Sequence, residues 1–566
     1  MAGETSCDVL VVGSGAGGLS AAVSARSRGL DVLVVEKEDC FGGTTTRSGG
    51  GLWIPCNPLA KAAGMSDSHD AASEYIRNEA GACFDPELVE SYLVNGPRMV
   101  DFFQQKTSVQ FVLQYAMPDY HLDVPGALLR GRTIYAAPFD AREAGALRTK
   151  IAPPLRELTF LGMGIGRTDL QHFFNATHSL KSAMFVGRRL LWQFYDLLRY
   201  GCSVRLVNGH ALAARLIRSA QDLGVRLWNS APVTALDMHD GSARGAFVDR
   251  GGELYRITAR RGVVLACGGF PHDSERQKQL FPHVRAGGRH WSPSSPGNTG
   301  DGLKFGETAG GTVSTDYPNT GYWAPVSLVP PGEGRHSIFP HTNGLDRSKP
   351  GFICVTRAGR RFVNECTTYH EFVQAMFANR GGEEAHAFII CDHTAIRRYG
   401  LGYAKPFPLR LGPHLKSGYI TRGDTLGELA QRTGIDGAAL TKTVADFNVH
   451  AAHGQDPQFG KGSDAYHWYQ GDPEHKPNPC VAPIAHGPFY ALKLVIGDVG
   501  TLAGLKTDRH ARVLGSDGTA IANLYAVGND MANFCGGQTP GAGVTLGPAM
   551  TFGYVAGQHI ADRNSN

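Results

Sequence analysis

Three glycines near the amino terminus have the spacing of a turn that binds the phosphates of a dinucleotide. Gly13, Gly15 and Gly18 follow the apolar run of residues 7–12 and precede an alanine-rich segment. In such a turn the first glycine permits the tight bend, the second lets the backbone approach a pyrophosphate, and the third lets helix and strand pack closely. The helix amino terminus adds unpaired N–H groups and the positive end of a dipole. The pattern therefore predicts a nucleotide-binding strand, turn and helix.

The residues after this turn favour FAD over NAD. A second apolar strand over 31–35 ends at Glu36, the acid expected to bind a ribose hydroxyl. A glycine- and hydroxyl-rich loop follows at 37–55, where flavoproteins run a loop beneath the flavin and NAD folds usually enter another helix. We expect FAD, held without a covalent bond. The predicted cofactor residues of this half are Gly13, Gly15, Ala16, Gly17, Gly18, Glu36, Lys37, Gly43, Thr44, Ser48, Gly49 and Gly50.

Matching features recur in the carboxy-terminal half. A buried strand within 261–270 closes on two glycines, and a strand at 523–530 ends on a carboxylate expected near the ribityl and pyrophosphate groups. A glycine loop then enters a helix at about residue 546, whose dipole would stabilise negative charge on a reduced flavin. The predicted cofactor residues of this half are Gly268, Gly528, Asn529, Asp530, Gly543, Thr545 and Leu546.

These elements define an α/β protein with a Rossmann-like FAD-binding domain of glutathione-reductase type, split by an inserted α+β substrate domain, or cap. We expect the FAD-binding domain over 1–285, with an irregular, partly helical insertion at about 106–200. The cap covers 286–484, and 485–566 return to the first domain.

One helix of the insertion has a marked apolar periodicity. Phe185, Leu191, Phe194 and Leu198 recur at helical spacing. Such spacing usually marks the face of a helix that packs on a core. We therefore expect most of these side chains to be buried.

The composition is that of a globular enzyme. The 566 residues carry a formal net charge of +4, with 42% hydrophobic and 19% charged residues and no run of five like charges, so nucleic-acid binding has no support. Eleven scattered cysteines without CxxC pairs favour reduced thiols and offer no zinc or iron–sulfur ligand set, and no metal site is expected. No apolar stretch is long enough for a transmembrane segment. We expect a cytoplasmic protein.

Two motifs carry a resemblance to a known family. The segments GGT at 42–44 and SGGGLWIP at 48–55 resemble the steroid branch of the flavoprotein superfamily of fumarate reductase and 3-ketosteroid dehydrogenase. The fumarate branch binds a dicarboxylate through arginines. At the corresponding places this chain has Tyr369, in AGRRFVNECTTYHEF, and the segment GGQTPGAG. The resemblance thus favours the steroid branch, with a fumarate or enoate reductase and a non-enzymatic flavin-binding protein as alternatives.

The resemblance implies roles for particular residues. Tyr369 would be the base that removes a proton beside a ketone, Tyr120 would assist it, and the Gly543 N–H would bind the ketone oxygen. The flavin would take a hydride from the adjacent carbon, which leaves a conjugated double bond. The acceptor of the electrons is unidentified and could be a quinone, an electron-transfer protein or oxygen.

Besides the Gly543 backbone N–H, the family uses a carbonyl-binding phenol where this chain has Thr539. A threonine hydroxyl reaches less far than a phenol, so Thr539 would act through water, another phenol would take its place, or the substrate would bind in a different position. Tyr195 and Tyr490 are the candidates for a replacement. The replacement of the family's phenol by Thr539 favours a cyclic ketone smaller than a steroid, such as a cyclohexanone.

Overall fold

The computed structural model of the protein describes residues 3–330, 336–342, 344–380 and 384–563. The strands are β1 (Gly3–Val12), β2 (Val32–Val35), β3 (Gly51–Trp53), β4 (Phe111–Leu113), β5 (Thr133–Ala136), β6 (Phe139–Asp140), β7 (Thr159–Phe160), β8 (Met163–Gly164), β9 (Arg205–Leu206), β10 (Arg226–Trp228), β11 (Val233–His239), β12 (Ser242–Arg250), β13 (Glu253–Leu265), β14 (Val313–Ser314), β15 (Gly321–Val329), β16 (Ser337–Pro340), β17 (Phe352–Val355), β18 (His386–Asp392), β19 (Thr421–Gly423), β20 (Phe489–Thr501), β21 (Gly504–Leu505), β22 (Arg512–Leu514) and β23 (Ala520–Ala526).

The α-helices are α1 (Ala16–Ser27), α2 (Pro58–Ala62), α3 (His69–Ala80), α4 (Pro86–Lys106), α5 (Arg167–Phe174), α6 (Leu180–Tyr200), α7 (Asn208–Asp222), α8 (Ser274–Leu280), α9 (Pro282–Arg285), α10 (Asp301–Thr308), α11 (Tyr369–Ala378), α12 (His393–Tyr399), α13 (Gly412–Lys416), α14 (Leu426–Thr433), α15 (Gly437–Ala451), α16 (Ala465–Gln470) and α17 (Leu546–Asp562).

The larger sheet is built from both ends of the chain. Its strand order is β10-β2-β1-β13-β12-β23-β22, with β11 paired to β12. The central strand β1 pairs in parallel with β2 and β13, and its residues 9–12 are fully buried, as an apolar run between two layers requires. Because β23 joins β13 in parallel, the carboxy-terminal segment completes the amino-terminal sheet. The expected α/β nucleotide fold is confirmed.

The predicted glycine turn lies between β1 and α1. Gly13 has φ +107°, and a Cβ there would lie 2.2 Å from the Ala266 carbonyl oxygen. A Cβ on Gly18 would lie 2.1 Å from the Gly13 carbonyl oxygen. No side chain fits at either position, so the two glycines let α1 lie close against β1 and β13.

A second sheet forms the core of the inserted region. Its order is β16-β15-β20-β18-β17, with β19 paired to β20, and the described pairs are antiparallel. Strand β20 belongs to this sheet although it begins at Phe489. The predicted boundary at residue 485 is therefore one strand too early, because the chain rejoins the first sheet only after Thr501.

Helix α6 corrects one expectation about the core. Leu191, Phe194 and Leu198 are 72%, 63% and 74% exposed. The buried face of α6 is instead polar and consists of Ser182, Arg189, Gln193 and Asp196. Gln193 Nε2 donates to the Leu161 carbonyl oxygen at 3.0 Å, and Asp196 accepts from the Val204 N–H at 3.3 Å. The helical spacing showed that the apolar residues share one face of α6, but it did not show whether that face is buried. The hydrogen bonds of the opposite, polar face orient that face towards the protein interior.

In the part of the chain that the structure describes, no helix is both long and apolar enough to cross a membrane.

Candidate functional site

A cavity of about 1030 Å³ opens beside the glycine turn, and we call it the glycine-loop cavity. It lies where β1, α1 and the start of α17 converge, at the carboxyl ends of the parallel strands. Open α/β sheets bind nucleotides at this edge. The predicted cofactor residues that line the cavity are Gly13, Gly15, Ala16, Gly17, Glu36, Lys37, Gly43, Thr44, Ser48, Gly268, Gly528, Asn529, Thr545 and Leu546.

The shape and donors of this cavity fit FAD. A Cβ on Gly15 would have Thr45 Oγ1, at 3.6 Å, as its nearest neighbour, so the space in front of this glycine belongs to the cavity. Glu36 accepts hydrogen bonds from the N–H and Oγ of Ser14, at 3.0 and 2.6 Å, which holds the turn in place. Burial raises the pKa of Glu36, and the hydrogen bonds from Ser14 oppose that rise. The residues present can therefore cradle a pyrophosphate and a ribose.

Two predicted cofactor residues, Gly18 and Asp530, line neither this cavity nor the one that continues from it. Gly18 packs against Gly13 and does not line the cavity. Asp530 is fully buried and accepts hydrogen bonds from the N–H groups of Cys267 and Gly269, the latter at 2.9 Å. Burial raises the pKa of Asp530 to about 6. The sequence predicted that Asp530 would approach the ribityl chain of the flavin. This prediction is corrected, because the Asp530 carboxylate instead accepts hydrogen bonds from backbone N–H groups of the loop after β13.

A second cavity, of about 980 Å³, continues from the first, and we call it the phenol cavity. Thr44, Ser48, Val499, Thr545 and Leu546 line both cavities, so the two meet at this wall. The predicted residues Tyr369, Tyr120, Gly543, Gly49 and Gly50 line the phenol cavity, together with Tyr322, Tyr135, Leu155 and Leu158. A group bound at the junction would thus face the phenols.

Three phenols form a cluster in this cavity. The Tyr369 hydroxyl donates to the Tyr322 hydroxyl oxygen at 2.6 Å, and the ring centroids of Tyr120 and Tyr369 are 6.4 Å apart. All three side chains are buried. The pKa of Tyr369 is raised, because the effect of burial outweighs that of the hydrogen bonds with Tyr322 and Tyr120, which lower it. Neighbouring hydroxyls that favour the phenolate are what a tyrosine base requires.

The sequence analysis missed Tyr322. It lies in the strand β15 and directly precedes Trp323, whose N–H donates to His370 Nδ1 at 3.1 Å. That hydrogen bond joins β15 to α11, the helix that begins at Tyr369. A tyrosine in an apolar strand is normally interpreted as a residue that packs in the hydrophobic core. Only the pairing of β15 with α11 places its hydroxyl beside Tyr369.

An ion network fixes the loop that carries Tyr120. Asp119 accepts from Trp53 Nε1 at 2.7 Å and from Arg132 Nη1 at 2.8 Å. Arg132 also forms an ion pair with Asp67 at 2.8 Å, and its side chain is 1% exposed. The Tyr120 N–H donates to the Pro540 carbonyl oxygen at 3.0 Å. These bonds hold the Tyr120 loop against β3 and the carboxy-terminal loop.

His121 links the Tyr120 loop to the Tyr369 helix. Its Nδ1 lies 2.8 Å from Glu79 and its Nε2 lies 3.0 Å from Glu371. Burial opposes a charge on His121, yet the two carboxylates raise its pKa to about 10. Burial likewise opposes ionisation of Glu371, but His121 and two threonine hydroxyls lower its pKa to about 2. A cationic histidine between two carboxylates therefore ties the two catalytic candidates together.

The remaining candidates divide into one glycine in the cavity and three residues outside it. A Cβ on Gly543, which has φ +101°, would lie 2.4 Å from the Gly51 carbonyl oxygen, so only glycine fits there. Thr539 is 1% exposed and lines neither cavity. Tyr195 is 51% exposed on α6, and Tyr490 hydrogen bonds to His393 Nδ1 at 3.0 Å. Neither tyrosine lines the phenol cavity, whereas Tyr322 does.

Arg47 places a positive charge in the phenol cavity. Its Nη1 donates to the carbonyl oxygens of Pro293 and Ser294, at 3.2 and 3.1 Å. Burial lowers its pKa, and the distant charges of Glu157 and Glu38 only partly offset that effect. Among the residues that the structure describes, no carboxylate forms a salt bridge with Arg47. A substrate anion would supply one.

The fold and the paired cavities define a flavoprotein with a substrate pocket next to its nucleotide site. A family model described as an FAD binding domain matches residues 8–546, so the chain belongs to this family and binds FAD. Over 98% of this chain, it is 42% identical to 4-oxocyclohex-2-ene-1-carboxylate 5-dehydrogenase of Sinomonas cyclohexanicum, with 94% of that protein covered. It is 36% identical to 3-oxosteroid 1-dehydrogenase of Mycobacterium tuberculosis, with 98% of each chain covered.

Solved structures agree with this assignment. The crystal structure of 3-ketosteroid delta1-dehydrogenase from Sterolibacterium denitrificans, in complex with 1,4-androstadiene-3,17-dione, matches with a TM-score of 0.90 and 35% identity over 98% of this chain and 99% of that chain. A flavocytochrome c3 fumarate reductase matches with a TM-score of 0.64 and 21% identity, over 99% of this chain and 79% of that chain. The second likeness shows a shared fold only. The predicted resemblance to the ketosteroid dehydrogenase branch is confirmed.

Proposed function

We propose that the protein uses FAD to introduce a carbon–carbon double bond next to the carbonyl of a saturated cyclic ketone. The contact between Tyr369 and Tyr322 carries this proposal, because it lies in the cavity that continues from the FAD site. Relatives similar over almost the whole chain are named as dehydrogenases of cyclohexane-ring keto acids and of 3-oxosteroids, which supports this class of reaction.

The residues of the phenol cavity account for the proton chemistry. Tyr369 removes a proton from the carbon beside the ketone, and the hydroxyls of Tyr322 and Tyr120 stabilise its phenolate. The Gly543 N–H donates to the ketone oxygen, where negative charge develops as the proton leaves. Bound FAD supplies the acceptor for the hydride from the adjacent carbon. The substrate thus loses one proton and one hydride, which balances the formation of the double bond.

We further propose that the substrate is a single-ring ketone that carries a carboxylate. Half-buried Arg47 gives the phenol cavity a positive charge that a neutral steroid would leave without a countercharge. The relatives named for oxocyclohexane and oxocyclohexene carboxylates, at 34% and 42% identity, support the same class. A carboxylate within reach of Arg47 would orient the ring with its ketone towards Tyr369.

Anaerobic mixing tests the reaction. A ketone dehydrogenase bleaches its flavin with saturated ketone alone and forms a product two mass units lighter, whereas an enoate reductase is reoxidised by the unsaturated compound. No bleaching by any ketone in the panel would favour a non-enzymatic flavin protein. The electron acceptor is proposed to be a quinone, an electron-transfer protein or oxygen. Reoxidation rates of the reduced enzyme with a soluble quinone and with oxygen separate those two acceptors, and slow reoxidation by both would favour an electron-transfer protein.

A substrate panel with Arg47→Leu tests the substrate class. We compare cyclohexanone, 4-oxocyclohexanecarboxylate, a decalone and a 3-ketosteroid. The wild type should prefer the keto acid, and Arg47→Leu should raise its KM about tenfold or more while leaving KM for cyclohexanone unchanged. A wild type that prefers the steroid, or a variant that loses both substrates equally, would contradict the role of Arg47 and leave the reaction class intact.

A further inference from the structure

Tyr135 lines the phenol cavity together with the three tyrosines of the cluster, and the proposed reaction gives it no task so far. It lies in the strand β5 and is half-buried. The cluster supplies the base, but the ketone oxygen has only the Gly543 N–H as a donor. The phenol that relatives place at position 539 is absent, and Thr539 lines neither cavity. The cavity wall thus contains one more phenol than the base requires.

The ring of Tyr135 lies across the neighbouring strand β3. Tyr135 pairs directly with Gly51 in the antiparallel β3–β5 ladder, so the two positions share one face. A Cβ on Gly51 would lie 3.2 Å from Tyr135 Cζ and 3.4 Å from its hydroxyl oxygen, so the far end of the ring covers the glycine. Because Gly51 has no side chain, the hydroxyl can reach over β3 in the wall of the cavity.

Gly543 lies against the same stretch of β3. A Cβ on Gly543 would lie 2.4 Å from the Gly51 carbonyl carbon, and the Trp53 N–H donates to the Gly543 carbonyl oxygen at 3.2 Å. Thr133 shares the face of β5 with Tyr135, and its hydroxyl donates to the Ala542 carbonyl oxygen at 3.2 Å. Side chains of β5 on this face therefore reach the loop that presents the Gly543 N–H.

The neighbouring phenols favour a protonated hydroxyl at position 135. Burial is the largest cause that raises the pKa of Tyr120 and of Tyr369, and Tyr135 raises both further. Phenols that interact in this way do not ionise together, because like charges repel. When Tyr369 is ionised as the base, Tyr135 keeps its proton and remains a donor.

We propose that the Tyr135 hydroxyl donates a hydrogen bond to the ketone oxygen of the substrate, beside the Gly543 N–H. This inference rests on the desaturation proposed above. Negative charge develops on the ketone oxygen as Tyr369 removes the proton, and a second donor stabilises it. A hydroxyl has one hydrogen to donate and two lone pairs, so Tyr135 can donate to the substrate and still accept from a neighbour. The donor that relatives place in the carboxy-terminal loop then comes from β5.

A second strand tyrosine provides a matched control. Tyr255 in β13 pairs with Gly3 in β1, and a Cβ on Gly3 would lie 2.9 Å from the Tyr255 ring. Tyr255 is half-buried like Tyr135 but lines neither cavity. Removing its hydroxyl therefore measures what a phenol over a paired glycine contributes to folding alone.

Tyr135→Phe in the FAD-loaded full chain tests the proposal, because it keeps the ring over Gly51 and removes the donor. We expect kcat with a saturated cyclic ketone to fall about a hundredfold, as for the loss of one oxyanion donor. The ion 4-nitrophenolate, which carries its charge on a ring oxygen as the enolate does, probes the carbonyl site without turnover. Its Kd should rise about tenfold or more, because a hydrogen bond to a charged oxygen is lost. Tyr255→Phe should match wild type in both measurements.

The outcomes distinguish the role of Tyr135 from the reaction itself. Wild-type kcat and phenolate affinity in Tyr135→Phe would overturn the inference. A lower kcat at unchanged phenolate affinity would also overturn it, since the hydroxyl would then not contact the carbonyl oxygen. Loss of FAD or of thermal stability in Tyr135→Phe, but not in Tyr255→Phe, would make the hydroxyl structural and overturn the donor role. If no ketone bleaches the wild-type flavin, the proposed function fails, and phenolate binding still tests the Tyr135 donor.

Discussion

The hydroxyl oxygens of Tyr369 and Tyr322 lie 2.6 Å apart, and this distance joins the first residue of α11 to the strand β15. The rings are 5.1 Å apart between centroids. Because both phenols are buried, each controls the ionisation of the other more strongly than it could in water. The base of the proposed reaction is therefore a pair of phenols, with Tyr120 as the third neighbour.

Removing the Tyr322 hydroxyl should weaken Tyr369 as a base. In Tyr322→Phe the phenolate loses a hydrogen-bond donor, so the pKa of Tyr369 should rise and the alkaline rise of kcat should shift to higher pH. At neutral pH we expect kcat to fall by about ten- to a hundredfold. The pH dependence of kcat, which reports pKa values in the enzyme–substrate complex, checks this. Tyr490→Phe, which removes a phenol outside the cavity, is the control. Identical pH–rate profiles for Tyr322→Phe and wild type would contradict the role of Tyr322 in lowering the pKa of Tyr369.

Removing the Tyr369 hydroxyl should abolish proton abstraction. Tyr369→Phe should lower turnover by about a hundredfold or more, since a positioned general base contributes on this order. FAD content should stay at wild-type level, because Tyr369 lines the phenol cavity and not the glycine-loop cavity. Flavin absorbance per mole of protein and single-turnover bleaching measure the two effects. Near wild-type bleaching in the variant would exclude Tyr369 as the base.

The sequence predicted the FAD half of the molecule better than the catalytic half. The glycine turn, Glu36 and the start of α17 are local patterns whose backbone chemistry leaves little freedom. Tyr322 was missed because its role depends on a contact 47 residues away in sequence. The buried face of α6 was predicted wrongly, because an apolar periodicity shows which residues share a face and does not show whether that face packs on the protein. Asp530 was misplaced because strand-end carboxylates also serve to satisfy loop backbone.

Substitution of Gly15 should separate cofactor binding from folding. A Cβ at Gly15 meets no atom closer than 3.6 Å, and the backbone there is extended, so Gly15→Ala should fold. The methyl group would point into the space where the pyrophosphate approaches, and we expect the Kd for FAD to rise about tenfold or more. Thermal unfolding of the apoprotein and FAD titration check the two statements. Gly427→Ala, in the open on α14, is the matched control. Unchanged FAD affinity in Gly15→Ala would contradict the assignment of the turn.

The salt-bridged triad Glu79, His121 and Glu371 should make stability depend on pH in the alkaline range. The pKa of His121 is raised from 6.5 to about 10, so its contribution is fully present below pH 6.5 and is lost as pH rises through 10. Between these values the free energy of unfolding should fall by up to about 1.4 kcal/mol per pH unit from this group. The depressed pKa of Glu371 acts on the acid side, where its contribution is lost only as pH falls through about 2.

His121→Gln isolates this effect. The variant should be less stable than wild type at pH 6.5 and should approach it as pH rises towards 10, because both then lack the charge. Urea unfolding at several pH values between 6.5 and 9.5 gives the two curves. His239→Gln, which removes a histidine that is 70% exposed, should parallel wild type throughout. Because His121 joins the Tyr120 loop to α11, kcat of His121→Gln should also fall, with FAD content unchanged. Parallel curves for His121→Gln and wild type would show that the triad does not hold its charge in the folded protein.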